Sequence, residues 1–373
     1  LSKEKFNDFL PSDNREILGI FQNGTREDTR AAITAAKAGF DSWRTKTYRE
    51  RSRIFLRAAD IISQRKYHIS AFNSMESGKN RFESIGDVDE GIDLMRYYAH
   101  QIEKNEGYEK ITMSATPGEK TRSVMRPYGV WGVIAPFNFP VALTVGMCTG
   151  SLITGNSVVY KPPTDCPLVP HIYYHILIES GIPNGVLNYV AGAGRTVGSE
   201  LVESSDLSGI VFTGSKEVGT YSYRIFGKQE PRPFIAEMGG KNPTIVTSKA
   251  DLNKAAEGVM KAAFGYGGQK CSATSRVYVE SSVNEMFIRL LVERTEQIKI
   301  GDPTERPNFL GPVINKAAFD KYQRAVDLAK KDGHVITGGN VLTDGNLGSG
   351  YFVQPTIITD LPKEHSLLKE ELF

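Results

Sequence analysis

Short β-rich runs alternate with helical stretches through the middle of this sequence, and that alternation constrains the fold more than any other feature. Five runs are predicted strands: 130–135, 157–161, 186–190, 209–213 and 234–237. Strands separated by helices must cross over and pair in parallel, which gives a doubly wound α/β sheet. Such sheets bind ligands at the carboxyl ends of their strands, so we expect a site there.

Segments on both sides of these strands complete the predicted architecture. Amphipathic periodicity predicts one helix from the Thr25–Asp28 capping pair to Trp43 and two more over 49–64 and 86–104. A second α/β unit, with predicted strands near 244–246, 276–280 and 351–358, follows Gly239. A polar, β-capable stretch around the Pro117-Gly118 turn predicts a protruding hairpin that pairs with a neighbouring subunit of a homo-oligomer. The predicted domains are dinucleotide-binding (1–107 and 128–238), oligomerisation hairpin (108–127) and catalytic (239–373, incomplete at its carboxyl end).

Charge and cysteine content narrow the classes of partner. The 45 basic and 43 acidic residues leave a net charge of +2. This near-neutral balance does not indicate binding to nucleic acid or to an anionic membrane. The most apolar stretch, 141–154, is too short to cross a bilayer. Three cysteines in a long chain without framework spacing indicate a reducing compartment, so we expect a cytoplasmic protein with a small-molecule substrate. The start at Leu1, without a methionine, is expected for a fragment.

Four polar residues carry the candidate chemistry. Cys271 lies among glycines that leave an electrophile room to approach, which suits a thiolate nucleophile. Asn138, Lys161 and Glu237 each follow or end a predicted strand. An amide can donate to a developing oxyanion, a lysine can hydrogen-bond ribose hydroxyls, and a glutamate can act as a general base. Singly, each is more often an ordinary solvated turn residue or, for cysteine, a packing residue.

In order and spacing, these four motifs resemble the aldehyde dehydrogenase superfamily, from about Thr25 to Phe373. The resemblance implies that Cys271 adds to an aldehyde, that Asn138 and the Cys271 amide hold the oxyanion, and that hydride passes to a nicotinamide cofactor. It implies further that Glu237 activates water to hydrolyse the thioester. The implied cofactor-binding residues are Ala135, Pro136, Phe137, Lys161, Gly194, Gly214, Ser215, Gly219, Met238, Gly239, Glu371 and Phe373.

The nucleophile stretch indicates a subfamily. Tyr266-Gly267-Gly268-Gln269-Lys270-Cys271-Ser272-Ala273 resembles the 1-pyrroline-5-carboxylate (glutamate semialdehyde) dehydrogenases of proline catabolism. This implies that Ser272, together with Phe139, contacts the substrate. The resemblance favours NAD, while Thr164 stands where many NAD-preferring relatives carry a glutamate that repels a 2′-phosphate, which leaves NADP open. Another semialdehyde or a sugar-derived aldehyde remains an alternative substrate.

Two further readings stay open, and two motifs carry less weight. A catalytically silent nucleotide-binding fragment is one rival, and an acylating dehydrogenase that uses coenzyme A is another, although Glu237 favours hydrolysis. The Gly192–Gly198 run has its last glycine one residue late for a dinucleotide fingerprint, so it is predicted to be a packed turn near the cofactor. His171 and His175 lie four apart with no third ligand evident, which favours a surface pair, and no metal is predicted.

Overall fold

The computed structural model describes residues 2–228 and 230–373, which divide into two compact units. The first unit comprises the N-terminal residues up to Asp8 together with Gly19–Phe72 and Ile85–Glu237, and the second comprises Phe9–Leu18, Asn73–Ser84 and Met238–Phe373. The sequence analysis placed Phe9–Leu18 and Asn73–Ser84 in the dinucleotide-binding domain, whereas their contacts lie with the second unit. The Tyr351 amide donates to the Pro11 carbonyl, for example, at 3.0 Å.

Helices account for much of both units, and at least six of those in the described residues begin at a side-chain cap. Thr25 caps α1 in a reciprocal capping box with Asp28, as predicted, and Thr47 and Glu50 do the same for α2. The helices are α1 (Arg26–Trp43), α2 (Tyr48–Gln64), α3 (Lys66–Ser77), α4 (Arg81–Lys104), α5 (Ala142–Ile153), α6 (Leu168–Ser180), α7 (Ser199–Glu203), α8 (Lys216–Phe226), α9 (Leu252–Phe264), α10 (Asn284–Glu296), α11 (Lys316–Asp332) and α12 (Ser366–Lys369).

A five-stranded sheet organises the first unit. The strands of the chain are β1 (Lys5–Leu10), β2 (Asp13–Gln22), β3 (Glu109–Thr112), β4 (Thr121–Val124), β5 (Val130–Ile134), β6 (Ser157–Lys161), β7 (Leu187–Tyr189), β8 (Gly209–Gly214), β9 (Phe234–Met238), β10 (Asn242–Val246), β11 (Thr274–Val279), β12 (His334–Thr337) and β13 (Ile357–Thr359). The sheet order is β7-β6-β5-β8-β9, and the pairs β5–β6, β5–β8 and β6–β7 are parallel. The predicted doubly wound sheet is therefore confirmed.

Burial explains why this sheet could be predicted. Every residue of β6 is buried, and so are the first four residues of β5. Continuous apolar runs of this kind are typical of central parallel strands covered by helices on both faces. The core that covers them includes Trp43, whose indole NH donates to the Leu152 carbonyl at 2.8 Å.

The second unit contains a smaller parallel pair. Strands β10 and β11 pair in parallel, and β12 pairs with β13 antiparallel. A core cluster of Val246, Ala256, Val259, Phe287 and Leu291 joins β10 to α9 and α10. This packing sets the direction in which α9 delivers the chain to the segment that carries Cys271.

Several elements differ from the sequence expectations. The predicted strand 351–358 is wrong over most of its length, because the regular strand β13 begins only at Ile357 and Val353 makes an isolated bridge to Val341. Strands β1, β2 and β12 and helix α3 were not predicted. The half-exposed β2 lacks the period-two alternation on which strand prediction depends.

The predicted hairpin is present as the antiparallel pair β3–β4, with Glu109 opposite Val124 and Thr112 opposite Thr121. All four residues of β3 are exposed. Its role in assembly stays a prediction. No helix within residues 2–228 and 230–373 combines the length and apolarity needed to cross a bilayer.

Candidate active site

The carboxyl edge of the five-stranded sheet gathers the predicted cofactor residues of the first unit. Strand order reverses at β5, since the chain passes from β5 to β6 on one side and later to β8 on the other. Ligands of doubly wound sheets bind at such a switch point. The loop after β5 carries Ala135 to Asn138, β8 ends at Gly214, and Ser215 follows it. Sequence and topology thus agree on this edge.

Asn138 is deeply buried in the loop between β5 and α5, with 2% of its surface exposed. The loop is held at both ends: the Ala135 amide donates to the Lys161 carbonyl at 3.2 Å, and the Ala142 amide donates to Asp87 Oδ1 at 2.9 Å. A buried amide has few alternative orientations. It therefore suits the preorganised donor that an oxyanion requires.

Lys161 ends the central strand β6 and is 6% exposed. Its Nζ donates to the Pro162 carbonyl at 2.9 Å. Burial lowers the pKa of Lys161 to about 8, because desolvation disfavours the charged form, while nearby Asp165 acts in the opposite direction. An ammonium group held at a strand end with hydrogen-bonding capacity to spare can bind ribose hydroxyls.

The start of α8 provides an anion-binding position. Ser215 caps the helix, accepting a hydrogen bond from the Val218 amide at 3.3 Å, and Gly219 is buried one turn further on. The first amides of a helix have no intrahelical acceptors and the helix dipole is positive there, so this terminus suits a pyrophosphate. At Gly194 a side chain would meet nothing within 4 Å, so the surface opposite is open. These residues fit a dinucleotide.

Glu237 is the last residue of the first unit and lies near the end of β9. Its side chain is exposed, as alternate residues of this edge strand are. An exposed carboxylate has access to water, which suits the predicted general base. Met238, the next residue, already belongs to the second unit.

In the second unit, Cys271 follows a segment of unusual backbone. Tyr266, Gly267 and Gly268 have φ values of 52°, 65° and 74°, so three successive residues adopt left-handed conformations. Two of the three are glycines, the residue that adopts this region at least cost. The turn carries the chain sharply out of α9 and presents Cys271, which is exposed and not disulfide-bonded.

Two amide side chains hold this segment in place, and sequence reasoning missed both. Asn242 Nδ2 donates to the Cys271 carbonyl at 2.6 Å and to the Ala273 carbonyl at 3.1 Å. Gln269 is fully buried, and its Oε1 accepts from the Ile314 amide at 3.0 Å. The nucleophile is thus anchored on both sides through its backbone. The only sequence signal for this was a glutamine two residues before the cysteine.

An ion pair lies directly beside the nucleophile. Lys270 Nζ and Glu83 Oε1 are 2.7 Å apart, with side chains 23% and 15% exposed. Glu83 is itself held by the start of α4, where its amide donates to Asn80 Oδ1 at 2.9 Å. Lys270 was predicted only as part of a motif, and its partner, far away in sequence, was not predicted.

The structure brings Glu371 to the turn after β9. The Gly240 amide donates to Glu371 Oε1 at 3.2 Å, and a Cβ at Gly239 would lie 1.9 Å from Glu371 Oε2. Only a glycine at position 239 allows this approach. Gly239 and Glu371, both predicted to bind the cofactor, therefore meet within the second unit. Ser272 is exposed beside Cys271, and Phe373 is half-buried.

The structure also places the remaining sequence candidates, which are the glycine-rich run, the histidine pair and the two other cysteines. The Gly194–Gly198 run is a single turn of π-helix that leads into α7. The Nε2 atoms of His171 and His175 are 3.0 Å apart on α6, and the described residues contain no group of three or more metal-binding side chains. Cys148 and Cys166 are buried.

Comparison with known sequences gives consistent matches over the full length. The sequence profile of the aldehyde dehydrogenase family matches residues 2–373. 1-Pyrroline-5-carboxylate dehydrogenase 1 of Halalkalibacterium halodurans is 38% identical over 378 residues, an alignment that covers 100% of this chain and 72% of the relative. The 1-pyrroline-5-carboxylate dehydrogenase of Geobacillus thermodenitrificans is 36% identical with the same coverage.

Solved structures give the same result. A 1-pyrroline-5-carboxylate dehydrogenase from Thermus, crystallised with bound NAD, superposes with a TM-score of 0.95 at 35% identity and covers 100% of this chain and 72% of its own. A betaine aldehyde dehydrogenase from Staphylococcus aureus, in complex with NAD+, also gives 0.95, at 29% identity and with 99% and 73% coverage. The fold is therefore common to enzymes that carry different substrate names.

Proposed function

The chain belongs to the aldehyde dehydrogenase family, and from that membership we propose that it oxidises L-glutamate 5-semialdehyde, the open form of 1-pyrroline-5-carboxylate, to glutamate. The observation that carries this proposal is the 38% identity to a protein named for that reaction over the whole chain. The Lys270-Cys271-Ser272 sequence supports it, because these residues resemble the same subfamily.

The chain's own residues supply the chemistry. The Cys271 thiolate adds to the aldehyde carbon, and the Asn138 amide with the Cys271 backbone NH stabilises the oxyanion that forms. NAD+, when bound, accepts the hydride that leaves this carbon. Glu237 then takes a proton from water, whose oxygen attacks the thioester and releases the carboxylic acid with the Cys271 thiolate restored. The exposed Glu237 carboxylate suits this last step.

Cofactor binding is assigned to groups at the sheet edge and the Gly239 turn. Lys161 would hold ribose hydroxyls, the start of α8 at Ser215 would hold the pyrophosphate, and Glu371 would hold the second ribose. The buried Lys161 and the helix N-terminus support this assignment. Ser272 and Phe139 are proposed to contact the substrate. A homo-oligomeric state, supported by the exposed β3 strand, and a cytoplasmic location, supported by three free cysteines, are also proposals.

The first experiment measures NADH formation with glutamate semialdehyde, succinate semialdehyde, betaine aldehyde and a simple aliphatic aldehyde. We expect the highest kcat/KM with glutamate semialdehyde. Cys271→Ala should lose about a thousandfold or more in kcat, because no other group replaces the thiolate. Cys148→Ala is the matched control, since it removes a buried thiol outside the proposed chemistry, and it should retain activity.

Each unfavourable outcome has a separate meaning. Higher kcat/KM with another aldehyde would discard the glutamate semialdehyde assignment and retain the family chemistry. Activity that survives in Cys271→Ala would discard the nucleophile. Turnover that requires added coenzyme A would indicate an acylating dehydrogenase instead.

A further inference from the structure

We propose that Glu200, through its ion pairs with Arg26 and Arg30, is a positioning residue for cofactor binding, because it holds the Gly194–Gly198 turn against Lys161. This inference rests on the proposed role of Lys161 toward the cofactor ribose. It assigns a function to a buried carboxylate that takes no part in the chemistry described above.

The Gly194–Gly198 turn, which we call the π-turn, borders Lys161 directly. A Cβ at Gly198 would lie 3.7 Å from Lys161 Cδ, so the backbone of the π-turn packs along the lysine stem. Just before the π-turn, the Gly192 carbonyl accepts from Thr164 Oγ1 at 3.4 Å. Any shift of the π-turn therefore changes the packing along the Lys161 side chain, whose Nζ donates to the Pro162 carbonyl.

A π-turn is a sparsely used conformation that persists only where the surroundings hold it. On its N-terminal side, the Gly24 amide donates to the Ala191 carbonyl at 2.8 Å. The approach there is close, since a Cβ at Gly24 would lie 2.6 Å from the same oxygen. The turn just before α1 thus fixes one side of the π-turn, and the other side continues into α7.

Glu200 fixes that second side. It lies in α7, two residues beyond the π-turn, and is 7% exposed. Arg30 donates to both of its oxygens, from Nε at 2.7 Å and from Nη2 at 3.0 Å, and Arg26 Nη1 donates to Oε2 at 3.1 Å. A bidentate guanidinium fixes a carboxylate in direction as well as distance. Both arginines belong to α1, so one helix start holds the π-turn at both ends.

A purely structural ion cluster is the simpler explanation, and it predicts a different result. Loss of a structural pair lowers the melting temperature and leaves cofactor affinity unchanged at temperatures well below melting. Loss of a positioning pair weakens cofactor binding in the folded protein. The chain offers a comparison in Glu179 of α6, which forms a two-bond pair with Arg65, the residue after α2, at 2.8 and 2.9 Å. Unlike Glu200, both partners of this pair are about half exposed.

The experiment compares wild type, Glu200→Gln, Glu179→Gln and Lys161→Met. The dissociation constant for NADH is measured by fluorescence at a temperature where every variant is folded, and the melting temperature is measured in parallel. The amide of Glu200→Gln would present an NH2 group to a guanidinium, so one side of the cluster must open. We expect the NADH dissociation constant to rise about fivefold to tenfold, with Glu179→Gln within twofold of wild type.

In steady-state assays the same variant should raise KM for NAD+ and leave kcat within about twofold, a division that general destabilisation does not produce. An unchanged NADH dissociation constant in Glu200→Gln, or an equal rise in Glu179→Gln, would overturn the proposal. If Lys161→Met also leaves NADH binding unchanged, the role of Lys161 itself fails, and that result identifies the proposed function rather than Glu200 as the error.

Discussion

At the scale of single residues, Lys161 shows how a candidate cofactor-binding residue can oppose stability. Its ammonium group is almost fully buried at the end of a central strand, and burial lowers its pKa to about 8. The unfolded chain therefore binds more protons than the folded chain between about pH 8 and the ordinary value of 10.5. The contribution of Lys161 to the free energy of unfolding is therefore most favourable at high pH, and it is lost as the pH falls through 8.

Replacement of Lys161 by Met tests this directly. The free energy of unfolding of wild type relative to Lys161→Met should increase between pH 7 and pH 10, by on the order of 2 kcal/mol, since only wild type carries the titrating group. Urea unfolding of both proteins at the two pH values measures the change. Because other groups titrate equally in both proteins, their contribution cancels. If the difference in the free energy of unfolding between wild type and Lys161→Met is the same at both pH values, the Lys161 pKa is not lowered.

Cys271 illustrates a different kind of residue. Its proposed chemistry requires a thiol, and its position depends on the residues that hold the backbone around it. Its carbonyl is held by Asn242, and the preceding Lys270 by Glu83. Neither partner is near it in sequence, so the motif predicted the nucleophile but not its supports. The exposed thiol and the anchored backbone together suit a group that must meet a small electrophile in one orientation.

At the scale of elements, the connection from β9 to β10 lies between the predicted general base, Glu237, and predicted cofactor-binding residues. Glu237 lies just before it, near the end of β9, and the connection itself begins with Gly239 and Gly240, against which the Glu371 carboxylate packs. A short, glycine-rich connection allows a side chain from a distant part of the chain to approach its backbone. Gly239 is therefore required for packing, because Glu371 already occupies the space that a side chain would take.

Gly239→Ala should displace Glu371, since the added Cβ would lie 1.9 Å from its Oε2. We expect NADH binding to weaken about tenfold, because Glu371 is proposed to hold a ribose, while the free energy of unfolding falls by about 1 kcal/mol or less. Isothermal calorimetry and urea unfolding measure the two quantities. Gly258→Ala in α9 is the control, since its Cβ would meet nothing within 4 Å and alanine favours the helix. Unchanged affinity in Gly239→Ala would contradict the assigned role of Glu371.

At the scale of the whole molecule, the β3–β4 hairpin is the element least explained by the contacts of one chain. Ile111 and Met113 are 90% and 97% exposed, and β3 is exposed along its entire length. A two-stranded hairpin alone is marginally stable in water, so further contacts are expected to support it. A second copy of the chain supplies them in the proposed homo-oligomer.

Ile111→Lys should therefore weaken assembly. We expect the subunit dissociation constant to rise about tenfold or more, since a charge would replace an apolar side chain in the proposed interface. Light scattering over a dilution series measures the mass. Tyr67→Lys is the matched control, because Tyr67 is also exposed, at 74%, and lies on α3 rather than on the hairpin. A wild-type protein that is monomeric, or equal masses for both variants, would remove the hairpin from assembly.

Much of this protein follows from local sequence. The five strands of the central sheet and the cap of α1 at Thr25 were predictable. Motifs also identified the candidate site residues Asn138, Lys161, Glu237 and Cys271. Periodicity, capping and turn chemistry act between residues a few positions apart, so they are visible without a fold. The chemistry of each side chain is likewise its own property.

Tertiary structure alone decided which distant residues support these groups. Glu200 meets Arg26 and Arg30, Glu371 meets the Gly240 amide, and Lys270 meets Glu83 across long separations in sequence. Such pairs depend on how helices and strands pack, and many charged residues in the chain could have made similar pairs. The placement of Phe9–Leu18 and Asn73–Ser84 with the second unit has the same origin. Sequence therefore identified the candidate reacting groups, and packing determined what holds them in position.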